Sequence, residues 1–166
     1  MMQKSLVTAV LSTPGGRPAR DHGRRDKPPR VLVVDDDMDI RQLYAEVLTD
    51  CGYRVDTAPD GEAAWKTLYA ARQSRDSYDL LITDYNMPKL SGFELVRKLR
   101  SARMELPVIL ASGSECLNVD SLHQAESLHL ASILPKPFSP DQLVQTVRAV
   151  LRAAKTQAAA QSRNSS

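Results

Sequence analysis

From Val31 onward the chain alternates two hydrophobic rhythms. Short apolar runs are followed by stretches in which apolar residues recur every three or four positions. Val31-Leu32-Val33-Val34 reads as a buried strand, and Ile40, Leu43, Tyr44, Val47 and Leu48 then repeat at helical spacing. Cys51-Gly52 ends that helix, with the glycine supplying a left-handed turn. Tyr53 to Ala58 is a second strand, and Pro59-Asp60-Gly61 turns into a helix carrying Ala64, Trp65 and Leu68. A third run, Tyr78-Asp79-Leu80-Leu81-Ile82-Thr83, ends at Asp84, and Tyr85-Asn86-Met87-Pro88 stops it. Ser91 with Glu94 forms a capping box for a helix on Phe93, Val96 and Leu99. Pro107 to Ala111 is the fourth strand, a weaker helix lies within 118–129, and Ser132-Ile133-Leu134 is a short fifth strand. Ser139, Pro140 and Gln142 open a last helix on Leu143, Val147, Val150 and Leu151. Strands alternating with helices pair in parallel, so the predicted fold is α/β, a three-layer (βα)5 sandwich.

Length and charge add the boundaries. A chain of 166 residues suits one domain with a real core plus tails. Residues 1–30 carry seven Lys/Arg against two Asp, residues 31–151 carry 12 against 18 acids, and residues 152–166 carry three basic residues and no acid. The basic N-terminal segment is broken by Pro14-Gly15-Gly16, Pro18 and Pro28-Pro29, and the last residues are short and polar. The expected organisation is a disordered basic extension over 1–29, a domain over 30–153 and a disordered tail over 154–166. No aromatic residue interleaves with the N-terminal arginines, so no nucleic-acid partner is predicted. Two cysteines, Cys51 and Cys116, build neither a disulfide framework nor a zinc site. No apolar stretch reaches membrane-spanning length, and Leu6 to Leu11 is too short for a secretory core. A cytoplasmic protein without membrane contact is expected.

The chemistry sits at strand ends. All strands of a parallel sheet point their carboxyl ends one way, where open sheets place a ligand crevice. The first strand brings Asp35 and Asp36 there, the third Asp84, the fourth Ser112 and the fifth Lys136. Taken singly these are bland: acids favour a helix N-terminus, and Ser112 could be a turn hydroxyl. Together they are not. Three close carboxylates repel one another, and a hard divalent cation relieves the conflict. Oxygen donors without His or Cys point to Mg²⁺ or Mn²⁺. A carboxylate nucleophile with a metal, a lysine and a hydroxyl suits phosphoryl transfer to Asp84.

Val31 to Asp36, Asp84-Tyr85-Asn86-Met87-Pro88 with Gly92, Pro107 to Ser112, and Lys136-Pro137-Phe138 resemble the response-regulator receiver domain of two-component signalling. The resemblance covers roughly residues 31–152. It implies a flavodoxin-like parallel sheet of order 2-1-3-4-5. It implies that Asp84 accepts a phosphoryl group from a sensor histidine kinase or a histidine phosphotransfer protein. Asp36, Asp84 and the Asn86 backbone carbonyl would bind Mg²⁺ directly, and Asp35 through water. Lys136 would pair with the phosphoryl oxygens, Ser112 would swing in to donate to one of them, and Lys136–Pro137 would be cis. Ile133 stands where most members carry a switch aromatic, which places the expected switch on the Ser112 loop and the helix near 118–129.

The implied role is a stand-alone signalling switch that docks onto a target or relays its phosphate. No separate substrate would be turned over. Two other readings compete. Asp35-x-Asp37 after a strand resembles the nucleophile and acid of haloacid-dehalogenase-type phosphatases, which however need a further acidic pair after the lysine, where only Asp141 follows. The other is a receiver that binds partners without being phosphorylated.

Overall fold

The computed structural model describes residues 27–74, 76–113 and 126–164. Five parallel strands form one sheet in the order β2-β1-β3-β4-β5: β1 (Arg30–Val34), β2 (Arg54–Ala58), β3 (Leu80–Asp84), β4 (Val108–Ser112) and β5 (Ser132–Pro135). Four helices are described: α1 (Met38–Asp50), α2 (Gly61–Arg72), α3 (Gly92–Ser101) and α4 (Pro140–Asn164). The helix expected within 118–129 lies outside the described residues except for its end at Glu126–Ser127.

The inner strands β1, β3 and β4 are mostly apolar because both faces of the sheet are covered there, whereas the edge strand β2 carries Arg54, Asp56 and Thr57. Successive side chains point to opposite faces. Val31, Val33, Leu80, Ile82 and Ile109 therefore enter one core with Leu48 of α1 and Leu143, Val147 and Leu151 of α4. Leu32, Val34, Leu81 and Val108 enter the other, with Ala64 and Leu68 of α2 and Leu95, Val96 and Leu99 of α3.

The helix starts follow the sequence chemistry. Asp37 caps α1 by accepting from the Asp39 and Ile40 amides, Asp60 caps α2 through Ala63, and Ser91 and Glu94 form the capping box of α3. After α1 the chain reverses at Gly52, whose φ of +85° suits glycine. One boundary differs from the sequence reading. Residues 154–164, expected as a disordered tail, continue α4 as helix. The segment is rich in alanine with lysine and glutamine, all good helix formers, and carries no glycine or proline to end it.

Candidate functional site

Sheet register assembles the strand tips. Thr83 pairs with Val34, Asp84 with Ala111, and Ser112 with Pro135, so the carboxyl ends of β1, β3, β4 and β5 lie side by side. Asp35 is one residue past β1 and Lys136 one past β5. The Lys136 amide donates to the Ser112 carbonyl at 2.7 Å, and Lys136–Pro137 is cis, as the resemblance implied. On the far side of Asp84, Gly92 leaves no room for a side chain: a Cβ there would collide with the Asp84 carbonyl oxygen.

At the centre one ammonium bridges two carboxylates. Lys136 Nζ lies 2.6 Å from Asp84 Oδ1 and 3.0 Å from Asp35 Oδ2. Each acid is held at its other oxygen by a backbone amide two residues on. Asn86 N–H donates to Asp84 Oδ2 at 2.9 Å, and Asp37 N–H to Asp35 Oδ1 at 3.0 Å. The acid side chains are only 4% and 11% exposed, for Asp35 and Asp84, against 29% for the lysine. Burial pushes the Asp35 carboxyl above the usual carboxylate range, and the Lys136 hydrogen bond and charge only partly reverse that. Burial also pulls on the Lys136 ammonium, but its bonds to Asp84 and Asp35 outweigh the effect and raise its pKa.

Three of the residues expected at the site are thus joined, Asp84 and Asp35 each bonding Lys136. Ser112 is buried beside them, with its hydroxyl donating to the Gly113 carbonyl at 3.1 Å. Asp36, expected as a direct metal ligand, has an exposed side chain, and it is Asp35 that shares the lysine with Asp84. Among the described residues no group of three His, Cys, Asp or Glu side chains gathers at metal-binding spacing. The expected cluster of three close carboxylates is therefore a pair with its neighbour Asp36 turned outward. Two carboxylates against one ammonium still leave excess negative charge on oxygen donors alone, and that set fits a hard divalent cation.

Two contacts escaped the sequence reading. Arg41 Nη1 donates to the Asp35 carbonyl at 2.6 Å, pinning the acidic turn to α1. Its only signal was a cation early in a helix that three acids introduce, against the preference of the helix dipole. Lys89 Nζ meets Asp60 Oδ2 at 2.5 Å across two separate loops, a pairing that no local spacing announces.

The fold agrees with that of known proteins that the chain resembles. Residues 31–148 match the family described as the response regulator receiver domain. The chain is 35% identical over 133 residues to response regulator MprA of Mycobacterium leprae, covering 80% of this chain and 55% of the relative. It is 33% identical over 127 residues to transcriptional regulatory protein RprY of Bacteroides fragilis, covering 76% and 51%. The chain spans about half the length of these curated relatives. Among solved structures, the chemotaxis response regulator CheY4 of Vibrio cholerae is 34% identical with a TM-score of 0.62, over 74% of this chain and 98% of that one. A Francisella response regulator receiver domain is 29% identical with a TM-score of 0.66, over 76% and 98%. Receiver domains are signalling modules of two-component systems, phosphorylation on an aspartate is general to them, and they generally bind Mg²⁺ at the acidic pocket. Response regulators receive their phosphate from histidine kinases. With a family match from Val31 to Arg148 and the strand order and acidic pocket both in place, this chain belongs to the response regulator receiver domain family.

Proposed function

We propose that the chain is a phosphorylation-dependent signalling switch whose phosphoacceptor is Asp84. The observation that carries this reading is the bridge from Lys136 Nζ to Asp84 Oδ1, on a carboxylate whose second oxygen is tied to the Asn86 amide. One oxygen is held back while the other faces a cation placed to meet an incoming phosphoryl group.

The donor is a phosphohistidine of a sensor kinase or a phosphotransfer protein. Asp84 attacks phosphorus, the P–N bond breaks as the P–O bond forms, and the departing imidazole nitrogen takes up a proton. Lys136 follows the charge onto the phosphoryl oxygens. Ser112 exchanges its bond to the Gly113 carbonyl for one to a phosphoryl oxygen, drawing the end of β4 toward the phosphate. Asp84, the Asn86 carbonyl and Asp36, once turned in from its exposed position, would hold Mg²⁺ or Mn²⁺, with Asp35 acting through water. The ion, when bound, neutralises charge that builds up between donor and acceptor. The module acts in the cytoplasm, by docking onto a protein target or passing its phosphate on, and turns over no separate substrate. Family membership leaves the dehalogenase-type phosphatase reading without support.

Incubation with acetyl phosphate and Mg²⁺, followed by intact mass analysis, tests the assignment. The expected result is a gain of one phosphoryl group in wild type and in Asp35→Asn, and none in Asp84→Asn. A labelled Asp84→Asn beside an unlabelled Asp35→Asn would overturn it.

A further inference from the structure

The segment between Asp84 and α3 is tied to a helix from a different βα unit. Lys89, five residues past Asp84, has φ +67°, in the left-handed region that side chains rarely enter. Such a residue persists only where its surroundings hold it. Its Nζ reaches Asp60 Oδ2 at 2.5 Å, while Asp60 Oδ1 accepts the Ala63 amide at 2.8 Å as the cap of α2. The acid is buried, with its side chain 8% exposed, and the lysine reaches it from solvent at 59%. A second contact lies beside the first. Gly61 packs so closely on the loop that a Cβ there would collide with the Leu90 carbonyl oxygen. Within the loop, the Leu90 amide closes onto the Pro88 carbonyl at 2.8 Å and the Gly92 amide onto Tyr85 at 3.0 Å.

We propose that the Lys89–Asp60 pair is a positioning clamp for the phosphoacceptor, an inference that rests on the reading of Asp84 given above. Neither residue touches Asp84. The clamp acts through Asn86, whose amide holds Asp84 Oδ2 at 2.9 Å and so turns Oδ1 toward Lys136. A carboxylate rotates easily about its last torsion. A backbone amide removes that freedom only if the backbone carrying it is itself fixed. The first turn of α2 supplies the fixed point, through the buried carboxylate of Asp60 and the Gly61–Leu90 contact. Solvent reaches the pair from the lysine side and screens it, so its effect falls more on orientation than on global stability.

The experiment compares rates of Asp84 phosphorylation by acetyl phosphate with Mg²⁺ in Lys89→Ala, Lys89→Arg, Asp60→Asn and the Asp60→Asn/Lys89→Ala double variant. Asparagine caps a helix as well as aspartate does, so Asp60→Asn removes the charge and leaves α2 started. Each single loss is expected to slow labelling roughly three- to tenfold, with no additional loss in the double variant. Lys89→Arg should recover most of the rate, and hydrogen exchange at the Asn86 amide should quicken in Lys89→Ala and Asp60→Asn. Wild-type rates in both single variants, additive losses in the double variant, or a loss that tracks Tm without rescue by arginine would overturn the clamp. Asp84→Asn, run alongside, separates the two ideas: a label persisting there overturns the phosphoacceptor assignment instead.

Discussion

Lys136 Nζ stands 2.6 Å from Asp84 Oδ1 although the strands that carry them are not neighbours, since β4 lies between β3 and β5. The lysine spans the tip of β4 and continues to Asp35 past the end of β1, so a single cation compensates acids from two other strands.

Removal of that cation is expected to be costly. Lys136→Met leaves two largely buried carboxylates without their counter-charge, and stability at neutral pH should fall by about 1–3 kcal/mol. The Lys136 pKa is raised above its ordinary value of 10.5 by its bonds to Asp84 and Asp35, which outweigh burial. Its contribution is therefore fully present below that ordinary value and lost as pH rises through the higher folded one. Urea unfolding from neutral pH to about pH 11 should show the gap between wild type and variant closing at the alkaline end. A gap that widens there would contradict the sign.

Asp35 is expected to behave in the opposite way. Burial raises its carboxyl, so the charged form is disfavoured in the folded protein above the folded pKa, and the penalty fades as pH falls from there to the ordinary value of 3.8. Asp35→Asn keeps an oxygen for the Asp37 amide and removes the buried charge. It should stabilise the protein at neutral pH by about 0.5–2 kcal/mol, with the difference shrinking at acid pH. Thermal unfolding across that range is the check, and a less stable variant at neutral pH would refute it.

At the opposite end of the sheet, Arg54 Nη1 and Nη2 grip the two oxygens of Asp76 at 2.9 and 2.8 Å. The Arg54 hydrogen bonds hold Asp76 down to about 2, against an ordinary value of 3.8. The stability this acid contributes is present above 3.8 and is lost as pH falls through about 2. Comparison of Tm for wild type and Asp76→Asn should show the wild-type advantage shrinking over that window. An advantage that persists to the lowest pH would count against the pairing.

Two glycines separate backbone strain from site geometry. Gly92→Ala forces a Cβ onto the Asp84 carbonyl and should cost about 1–3 kcal/mol while lowering the rate of phosphorylation. Gly52→Ala meets nothing within 4 Å but strains a φ of +85°, so it should cost about 1 kcal/mol with phosphorylation unchanged. Equal losses of phosphorylation in the two variants would show that global stability, rather than the Gly92–Asp84 contact, sets the rate.

Much of the architecture was readable from local rules. Val31–Val34 and Leu80–Ile82 announced buried strands, and Ser91 with Glu94 announced the start of α3, because strand period and capping chemistry act within a few residues. The end of α4 was misread, since a run of alanine and polar residues reads as a loose tail until its helix propensity is weighed. The Lys89–Asp60 pair lay beyond any such rule, because its partners are 29 positions apart with α2 and β3 between them.

By itself the sequence determined which elements form, in what order, and which acids, hydroxyl and lysine end the strands, because hydrophobic period, caps and turn residues are encoded locally. Tertiary structure decided who meets whom. It placed Lys136 between Asp35 and Asp84 across a separation of 101 residues from the former, buried Asp35 while leaving Asp36 in solvent, and pinned the loop after Asp84 to α2. Those relationships follow from strand order, register and the face each side chain takes on a closed-packed sheet. They are properties of chain crossings, which spacing along the chain does not contain.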